Sequence, residues 1–212
     1  CRIDETKHIL YIGSGPGISP VKIVKKYGCK VTGVDLSKDM VKAAKKLTPK
    51  GLRVTYQQGD AQKLPFKAGT FDAVISESVT AFVPDKLKAF KEYKRVLKKG
   101  GLVGMSETTW LAKPAKKYVD FCNQYIGGVN PESKKTWDAL IKKAGLKEIH
   151  SESGEIKMLR QIIGELQMGG FVRNLAAYYY LVRYYITDEK YRKSLNYITK
   201  GIIFSWPKGL FK

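Results

Sequence analysis

Between residue 8 and about residue 150, short runs of apolar, β-branched residues alternate with longer amphipathic stretches. The runs have the length of strands, and the stretches repeat their apolar positions at the helical period. This alternation is typical of βαβ units that build a parallel sheet. The pattern predicts six strands, at residues 8–12, 30–34, 53–57, 71–76, 101–106 and 147–150.

Four helices are predicted in the intervals, at residues 19–27, 38–47, 86–97 and 133–144. Gly28, Gly100 and Gly145 each stand where one of these helices is expected to stop. Glycine is favoured there because the residue after a helix often adopts a left-handed conformation. The glycines and the periodicity therefore predict the same α/β organisation.

Composition fits a globular protein, with 43% apolar and 27% charged residues and no apolar run near the roughly 20 residues that span a bilayer. The three cysteines, Cys1, Cys29 and Cys122, are too few and too widely spaced to indicate a disulfide framework or a zinc site. We expect no metal and a reducing, cytoplasmic setting. Because the chain opens with Cys1 rather than Met, we also expect that a short N-terminal piece is missing.

The formal net charge is +20, and its excess lysines are spread along helical stretches such as residues 42–46. A solvated helix face explains such lysines without any partner. The alternative is attraction to an anion, either nucleic acid or an anionic membrane surface touched peripherally. The charge is only a weak indication of a partner.

A glycine-rich turn, Tyr-Ile-Gly-Ser-Gly-Pro-Gly at residues 11–17, follows the first strand and leads into a helix. Such a turn can be purely structural, or its glycines can let a ligand approach the backbone. Asp35 ends the second strand, 18 residues past Gly17, where a carboxylate can accept both hydroxyls of an adenosine ribose. Asp60 follows the third strand at the same sheet edge and could accept from an adenine amino group. Together these residues predict a nucleoside site.

Nicotinamide dinucleotides prefer a third glycine or alanine in this loop, and the chain instead has Gly13-x-Gly15-x-x-Ile18. A close fit of a pyrophosphate to the helix N-terminus is therefore disfavoured. A nucleoside cofactor without phosphates fits the sequence better.

Five motifs occur in order: Ile-Gly-Ser-Gly-Pro-Gly, Gly-Val-Asp-Leu-Ser, Gly-Asp-Ala-x-x-Leu-Pro-Phe, Phe-Asp-Ala-Val-Ile-Ser-Glu-Ser-Val and Arg-Val-Leu-Lys-Lys-Gly-Gly. In this order and spacing they resemble the class I S-adenosylmethionine-dependent methyltransferases, above all the quinone and sterol methyltransferase branch. The resemblance covers residues 8 to about 150. It implies a Rossmann-like, doubly wound, mostly parallel sheet of about seven strands and methyl transfer from S-adenosylmethionine, which becomes S-adenosylhomocysteine.

The resemblance also assigns roles to residues. The loop would contact the methionine part, Asp35 would hold the ribose, and Leu36 would cover one adenine face. The cofactor-binding set implied in this way is Tyr11, Gly13, Ser14, Gly15, Gly17, Asp35, Leu36, Asp60, Ala61 and Glu77. Tyr11 departs from the pattern, since relatives usually carry an acid there that helps to orient the methionine amino group. The phenol could partly substitute for that acid.

Glu77, at the end of the fourth strand, is the best-placed ionisable residue to orient or deprotonate a methyl acceptor, or else it is a solvated or helix-capping carboxylate. The Asn/Asp-Pro-Pro-aromatic motif of nucleic-acid amino methyltransferases is missing there, which weakens a base-methylating interpretation. Cys29 and Cys122 are expected to be buried structural thiols. His8 and His150 are expected to lie in strands as packing or surface residues.

We divide the chain into a methyltransferase domain, residues 1–160, and a helical, aromatic-rich appendage, residues 161–212. Residues 155–159 could supply a seventh strand, or that strand lies beyond Lys212. The appendage could pack on the sheet, rest at a membrane interface, or form a lid that lines the acceptor site. Its tyrosines Tyr178, Tyr179 and Tyr185, with Trp110 and Tyr118, are the candidate acceptor and lid residues.

The sequence thus predicts an enzyme that methylates a small-molecule or lipid-like acceptor. An RNA methyltransferase is the second hypothesis, favoured by the charge and opposed by the missing motif. The third is a binding module that keeps the fold without catalysis, for which Tyr11 is the argument.

Overall fold

A computed structural model describes residues 3–110 and 128–152 and, between these ranges, residues 114, 116, 119 and 120. The described residues belong to two compact units. One unit contains residues 3–107 and 135–151, including the whole main sheet. The other contains residues 108–110 and 128–134, where strand β6 (Thr109–Trp110) pairs in parallel with β7 (Glu132–Ser133).

Five parallel strands form the main sheet: β1 (His8–Ile12), β2 (Lys30–Asp35), β3 (Val54–Gln58), β4 (Phe71–Glu77) and β5 (Leu97–Ser106). Their spatial order is β3-β2-β1-β4-β5. Strand β1 is central, and its residues Ile9 to Ile12 are at most 3% exposed. A strand with neighbours on both edges and cover on both faces needs a continuous apolar run, which explains the sequence His-Ile-Leu-Tyr-Ile.

Helices α1 (Ile18–Tyr27), α2 (Lys38–Leu47) and α3 (Lys86–Val96) connect the strands, and α4 (Lys134–Lys143) follows later in the chain. The Ser37 hydroxyl accepts from the Met40 N–H at 3.3 Å, and the Asp85 carboxylate accepts from the Lys88 N–H at 2.9 Å. Each contact satisfies a backbone donor that the first helical turn leaves unpaired. Gly28 ends α1 with a φ of +69°, as predicted.

The chain reverses direction across the sheet at β1, because β2 and β3 add to one edge and β4 and β5 to the other. A crevice at the C-terminal ends of the strands opens where the strand order reverses in this way. One core cluster packs α1 on the sheet and includes Ile9, Tyr11, Ile23 and Val31. Cys29 is also fully buried in this cluster, which confirms its predicted structural role.

Two secondary-structure predictions are wrong. Residues 147–150 form no strand, and Ile149 is 77% exposed, because the described part of the sheet offers this segment no partner strand. Among the described residues the main sheet has five strands, so the expected number of about seven stays a prediction, and His150 does not lie in a strand. Gly100 does not end α3, which already stops at Val96; it lies inside β5 with a φ of +80°.

The prediction for His8 is confirmed, since it lies in β1 with its ring hydrogen-bonded to the Thr32 hydroxyl at 2.9 Å. Burial, with the neighbouring charge of Lys30, lowers the pKa of His8 to about 4, so the ring is neutral at physiological pH. The helical appendage, the domain boundary at residue 160, Cys122 and the strand proposed at residues 155–159 lie outside the described residues. In the described ranges, no helix combines the length and apolarity required to cross a bilayer.

Candidate functional site

The glycine loop after β1 contains three left-handed residues, Gly13, Gly15 and Gly17, with φ values of +63°, +50° and +87°. A Cβ at Gly13 would collide with a methyl group of Val79, and a Cβ at Gly17 would collide with the phenol of Tyr56. A Cβ at Gly15 would meet no atom of the described residues within 4 Å. Gly13 and Gly17 therefore serve packing inside the protein, whereas Gly15 presents bare backbone to open space where a ligand can approach.

Asp35, at the end of β2, joins this loop to the start of α2. Its Oδ2 accepts from the Gly15 N–H at 2.8 Å, and its Oδ1 accepts from the Ser37 N–H at 2.9 Å. An ionised carboxylate has about four lone-pair sites, so each oxygen can still accept a further donor. The carboxylate is therefore fixed in place by backbone groups and retains capacity for two ligand hydroxyls. Leu36, the next residue, is 71% exposed beside it.

Tyr56 supports the loop from below, a role that the sequence analysis missed. This β3 side chain is buried, its hydroxyl donates to the Gly17 carbonyl at 3.3 Å, and it shares a hydrogen bond of 2.8 Å with Thr48. Burial raises the pKa of the Tyr56 phenol, which keeps it a neutral donor. A tyrosine in an alternating strand pattern gives no sign of this contact, because the contact depends on how β3 is placed beside the loop.

Asp60 and Ala61 lie in a turn that follows β3. The Asp60 Oδ1 accepts from the Gln62 N–H at 2.8 Å, and the Gln62 side-chain carbonyl accepts from the Asp85 N–H at 3.0 Å. The Arg95 guanidinium holds the same segment further along through the carbonyls of Leu64 and Phe66, at 3.0 and 2.7 Å. The carboxylate of Asp60 is thus held at the sheet edge by the N-terminus of α3.

Tyr11, which is buried, and Glu77, which is partly buried, form a pair across neighbouring strands, because Tyr11 pairs in register with Ile75, two residues before Glu77. The Tyr11 hydroxyl donates a short hydrogen bond to Glu77 Oε2. Tyr11 is only 3% exposed, and its burial together with this hydrogen bond raises the pKa of its phenol. The phenol is therefore neutral and orients the Glu77 carboxylate.

Glu107, just after β5, supports the site from within the protein, a role that the sequence analysis missed. Its carboxylate is 4% exposed and accepts from the backbone N–H groups of Val79, Thr80 and Ala81 at 3.1, 2.7 and 3.2 Å. These donors begin the 3₁₀ turn Thr80–Phe82. The turn follows Ser78, which has a φ of +55°, so the carboxylate holds a strained backbone in place. The same turn places Val79 against Gly13.

Most of the predicted cofactor-binding residues lie at one edge of the sheet, at the C-terminal ends of strands β1 to β4. This edge holds the glycine loop, Asp35, Leu36, the turn at Asp60 and Glu77. Ser14 belongs to the loop, and its hydroxyl is buried and has no hydrogen-bond partner in the part of the chain that the structure describes. Trp110 lies in the second unit, in β6. The lid candidates Tyr118, Tyr178, Tyr179 and Tyr185 lie outside the described residues.

The sequence of this core matches a known family. Residues 10–105 match the model of the methyltransferase domain, a span that includes the glycine loop, Asp35, Asp60 and Glu77. This part of the chain is similar to methyltransferase domains. The sequence-based resemblance to methyltransferases is thereby confirmed, as is the Rossmann-like order of the described sheet.

Individual relatives agree with this family. The chain is 34% identical over 140 residues, 60% of its length, to a demethylmenaquinone methyltransferase of Staphylococcus aureus. It is 37% identical over 99 residues, 47% of its length, to a 2-methyl-6-phytyl-1,4-hydroquinone methyltransferase of Synechocystis. It spans 58% and 31% of the length of these two relatives.

A solved structure of Haemonchus contortus phosphoethanolamine N-methyltransferase 2 in complex with S-adenosyl-L-methionine is similar with a TM-score of 0.76 and 22% identity. The similarity covers 99% of this chain and 50% of that one. At this level of identity the comparison supports the fold of the methyltransferase domain.

Replacing Glu107 by glutamine tests the role of its carboxylate in the methyltransferase domain. One acceptor oxygen becomes an amide donor facing backbone N–H groups, so we expect the free energy of unfolding to fall by about 1–3 kcal/mol at pH 7. Burial raises the pKa of Glu107, although the N–H groups of Thr80, Val79 and Ala81 oppose that shift. Urea unfolding of both proteins measures the difference.

The pH dependence of this difference has a defined sign. Because the pKa of Glu107 is higher in the folded state than in the unfolded state, the folded state binds the proton more tightly, and this contribution to stability grows as the pH falls from neutrality through the raised pKa of the folded state. The gap between the wild type and E107Q should therefore widen over that range, while Glu5→Gln, at an exposed site, should show no such trend. A gap that does not change with pH would contradict the raised pKa.

Proposed function

We propose that this chain binds S-adenosylmethionine at the C-terminal edge of its sheet and transfers the methyl group to a small-molecule or lipid-like acceptor. The observation that carries the proposal is the Asp35 carboxylate fixed by the Gly15 N–H, beside a loop residue whose outer side is open. This combination offers a ribose acceptor and a close backbone approach at one place. The match of residues 10–105 to the methyltransferase-domain model supports the same cofactor.

The residues present fit the parts of this cofactor. Asp35 has acceptor capacity left for the two ribose hydroxyls, and the exposed Leu36 can cover one face of the adenine ring. Asp60 and Ala61 would flank the adenine from the turn after β3. Gly13, Ser14, Gly15 and Gly17 would follow the methionine part along the loop.

When bound, S-adenosylmethionine supplies a methyl group on a positively charged sulfur. The methyl group passes to a nucleophilic atom of the acceptor, the carbon–sulfur bond breaks, and its electron pair stays on the sulfur as a neutral thioether. Such an in-line displacement depends chiefly on alignment of the reacting atoms and exclusion of water. The chain therefore needs no nucleophile of its own. Glu77 is the candidate to orient the acceptor or remove its proton.

The names of the relatives favour a quinone-like acceptor, since they are methyltransferases of demethylmenaquinone and of a phytyl hydroquinone. A lid formed by the appendage, residues 161–212, together with Trp110 and Tyr118, would enclose such an apolar molecule. An RNA acceptor remains the second candidate because of the net charge of +20. The third candidate is a cofactor-binding module without catalysis. Measured turnover would exclude this candidate, and absence of turnover would support it.

Gly15→Ala tests the cofactor site with a matched control. Gly15 and Gly69 both have positive φ, +50° and +67°, and at neither would a Cβ meet an atom within 4 Å, but Gly69 precedes β4 at the opposite edge of the sheet. Both variants should lose a similar stability, about 1–2 kcal/mol, from the left-handed strain. Only Gly15→Ala should also weaken binding of S-adenosylhomocysteine, by at least tenfold in isothermal titration. Equal affinities of the two variants would place the ligand elsewhere.

Transfer of labelled methyl groups from S-adenosylmethionine to a lipid and metabolite extract tests the catalytic half of the proposal. We expect label in an extractable apolar product, and far less of it when Tyr178, Tyr179 and Tyr185 are replaced by alanine. Cofactor affinity should stay near that of the wild type in this triple variant. Joint loss of cofactor binding and turnover would make the appendage part of the core, full activity would remove the lid, and label in RNA alone would favour the second candidate.

A further inference from the structure

Besides Asp35 of β2, a second carboxylate, Glu77, stands at the same edge of the sheet, at the end of β4. Tyr11 is the penultimate residue of β1, and its phenol donates to Glu77 on the neighbouring strand. We propose that Glu77 binds the α-ammonium group of the cofactor's methionine part and that Tyr11 is the residue that positions it. The inference rests on the proposed function and deepens it, since it assigns a ligand group to Glu77 instead of a role in proton removal.

Strand geometry places the pair at a suitable distance from the ribose site. Strands β2 and β4 flank β1, and Asp35 and Glu77 are the last residues of β2 and β4. Neighbouring strands lie about 4.8 Å apart, so the backbones at the two carboxylates are separated by about 10 Å across the end of β1. In the ligand, the ribose with its two hydroxyls is joined through the sulfur and a short carbon chain to the carbon that bears the ammonium group. The ligand can therefore reach both carboxylates while its middle crosses the loop.

The charges of the site favour a cationic group at Glu77. Glu77 is partly buried, and among the residues that the structure describes it forms no ion pair. Glu77 accepts a hydrogen bond from the phenol of Tyr11, which is neutral because burial and this hydrogen bond raise its pKa. A neutral donor orients a carboxylate without cancelling its charge. The net negative charge at this point is therefore available to an ammonium ion brought by a ligand.

The same geometry explains why residue 11 is a tyrosine. A Tyr11 side chain is long enough to reach from the buried part of β1 to the end of β4, and its ring packs in the α1 core cluster with Ile9 and Ile75. Phenylalanine would keep that packing and remove the hydrogen bond. Tyr11→Phe should therefore change the orientation of the Glu77 carboxylate and leave the packing of the core nearly unchanged.

The test compares two probes that differ in the group of interest. S-adenosylhomocysteine carries the amino-acid part, and 5′-methylthioadenosine has the same nucleoside and thioether without it. Isothermal titration with the full chain should show that Glu77→Gln weakens S-adenosylhomocysteine at least tenfold and changes the affinity for methylthioadenosine less than twofold. Tyr11→Phe should show the same selectivity with a smaller loss, about threefold to tenfold.

Non-additivity is the second expected result. If Tyr11 acts only through Glu77, adding Tyr11→Phe to Glu77→Gln should weaken S-adenosylhomocysteine no further, because the carboxylate that the phenol positions is already gone. Asp35→Ala serves as the reference variant, and it should weaken both probes alike, by tenfold or more. The thermal unfolding midpoint of each variant shows that binding is measured on folded protein.

Each other outcome overturns a distinct statement. If wild-type protein binds neither probe, the proposed function fails and the inference with it. If the wild type binds both probes, and Glu77→Gln weakens the binding of both equally or leaves the affinity for S-adenosylhomocysteine unchanged, only the assignment of the ammonium group to Glu77 fails. Unchanged affinity together with a lower kcat on the labelled acceptor would assign Glu77 to the acceptor and overturn the inference.

Discussion

The hydrogen bond from the Gly15 N–H to the Asp35 carboxylate is the contact on which the candidate site depends. It joins the turn after β1 to the end of β2, and the second oxygen of Asp35 extends the connection to Ser37 at the start of α2. Because the loop residues have positive φ, the loop keeps this path only while glycines occupy it. The carboxylate therefore has a structural role and remains open to ligand hydroxyls.

The rest of the sheet edge is built around that contact. Tyr56 supports Gly17 from β3, and Val79, placed by the Glu107 carboxylate, packs against Gly13 from the β4 side. The loop is thus held by neighbours on both sides while its centre at Gly15 stays open. Strand order explains this arrangement, since the reversal at β1 leaves a crevice at the C-terminal ends of the strands.

The sequence predicted the elements whose signals are local. Strand β1 has the predicted bounds of His8–Ile12, and α2 has those of Lys38–Leu47, because each has a clear apolar period and distinct ends. The prediction of a strand at residues 147–150 was wrong because an apolar residue such as Ile149 does not form a strand where no neighbouring strand pairs with it. The roles of Asp35 and Asp60 in binding remain predictions, although their positions at the sheet edge agree with them.

Contacts between distant parts of the chain could not be predicted in the same way. The Tyr11–Glu77 hydrogen bond joins residues 66 positions apart and exists because β4, rather than β2 alone, lies beside β1. In the sequence, nothing distinguishes Glu107 from any other acidic residue that follows a strand. Only the folded turn at Val79 shows that its carboxylate accepts hydrogen bonds from three backbone N–H groups. In both cases the role of the side chain becomes clear only once the order of the strands is known.

A crystal structure of the chain with S-adenosylhomocysteine tests the central claim most directly. Electron density should show the ribose hydroxyls on Asp35, the adenine beside Leu36 and Asp60, and the thioether over the loop at Gly15, with the amino group on the Glu77 carboxylate. Density for the ligand at another surface, with the edge formed by β2, β1 and β4 empty at saturating ligand, would contradict the account.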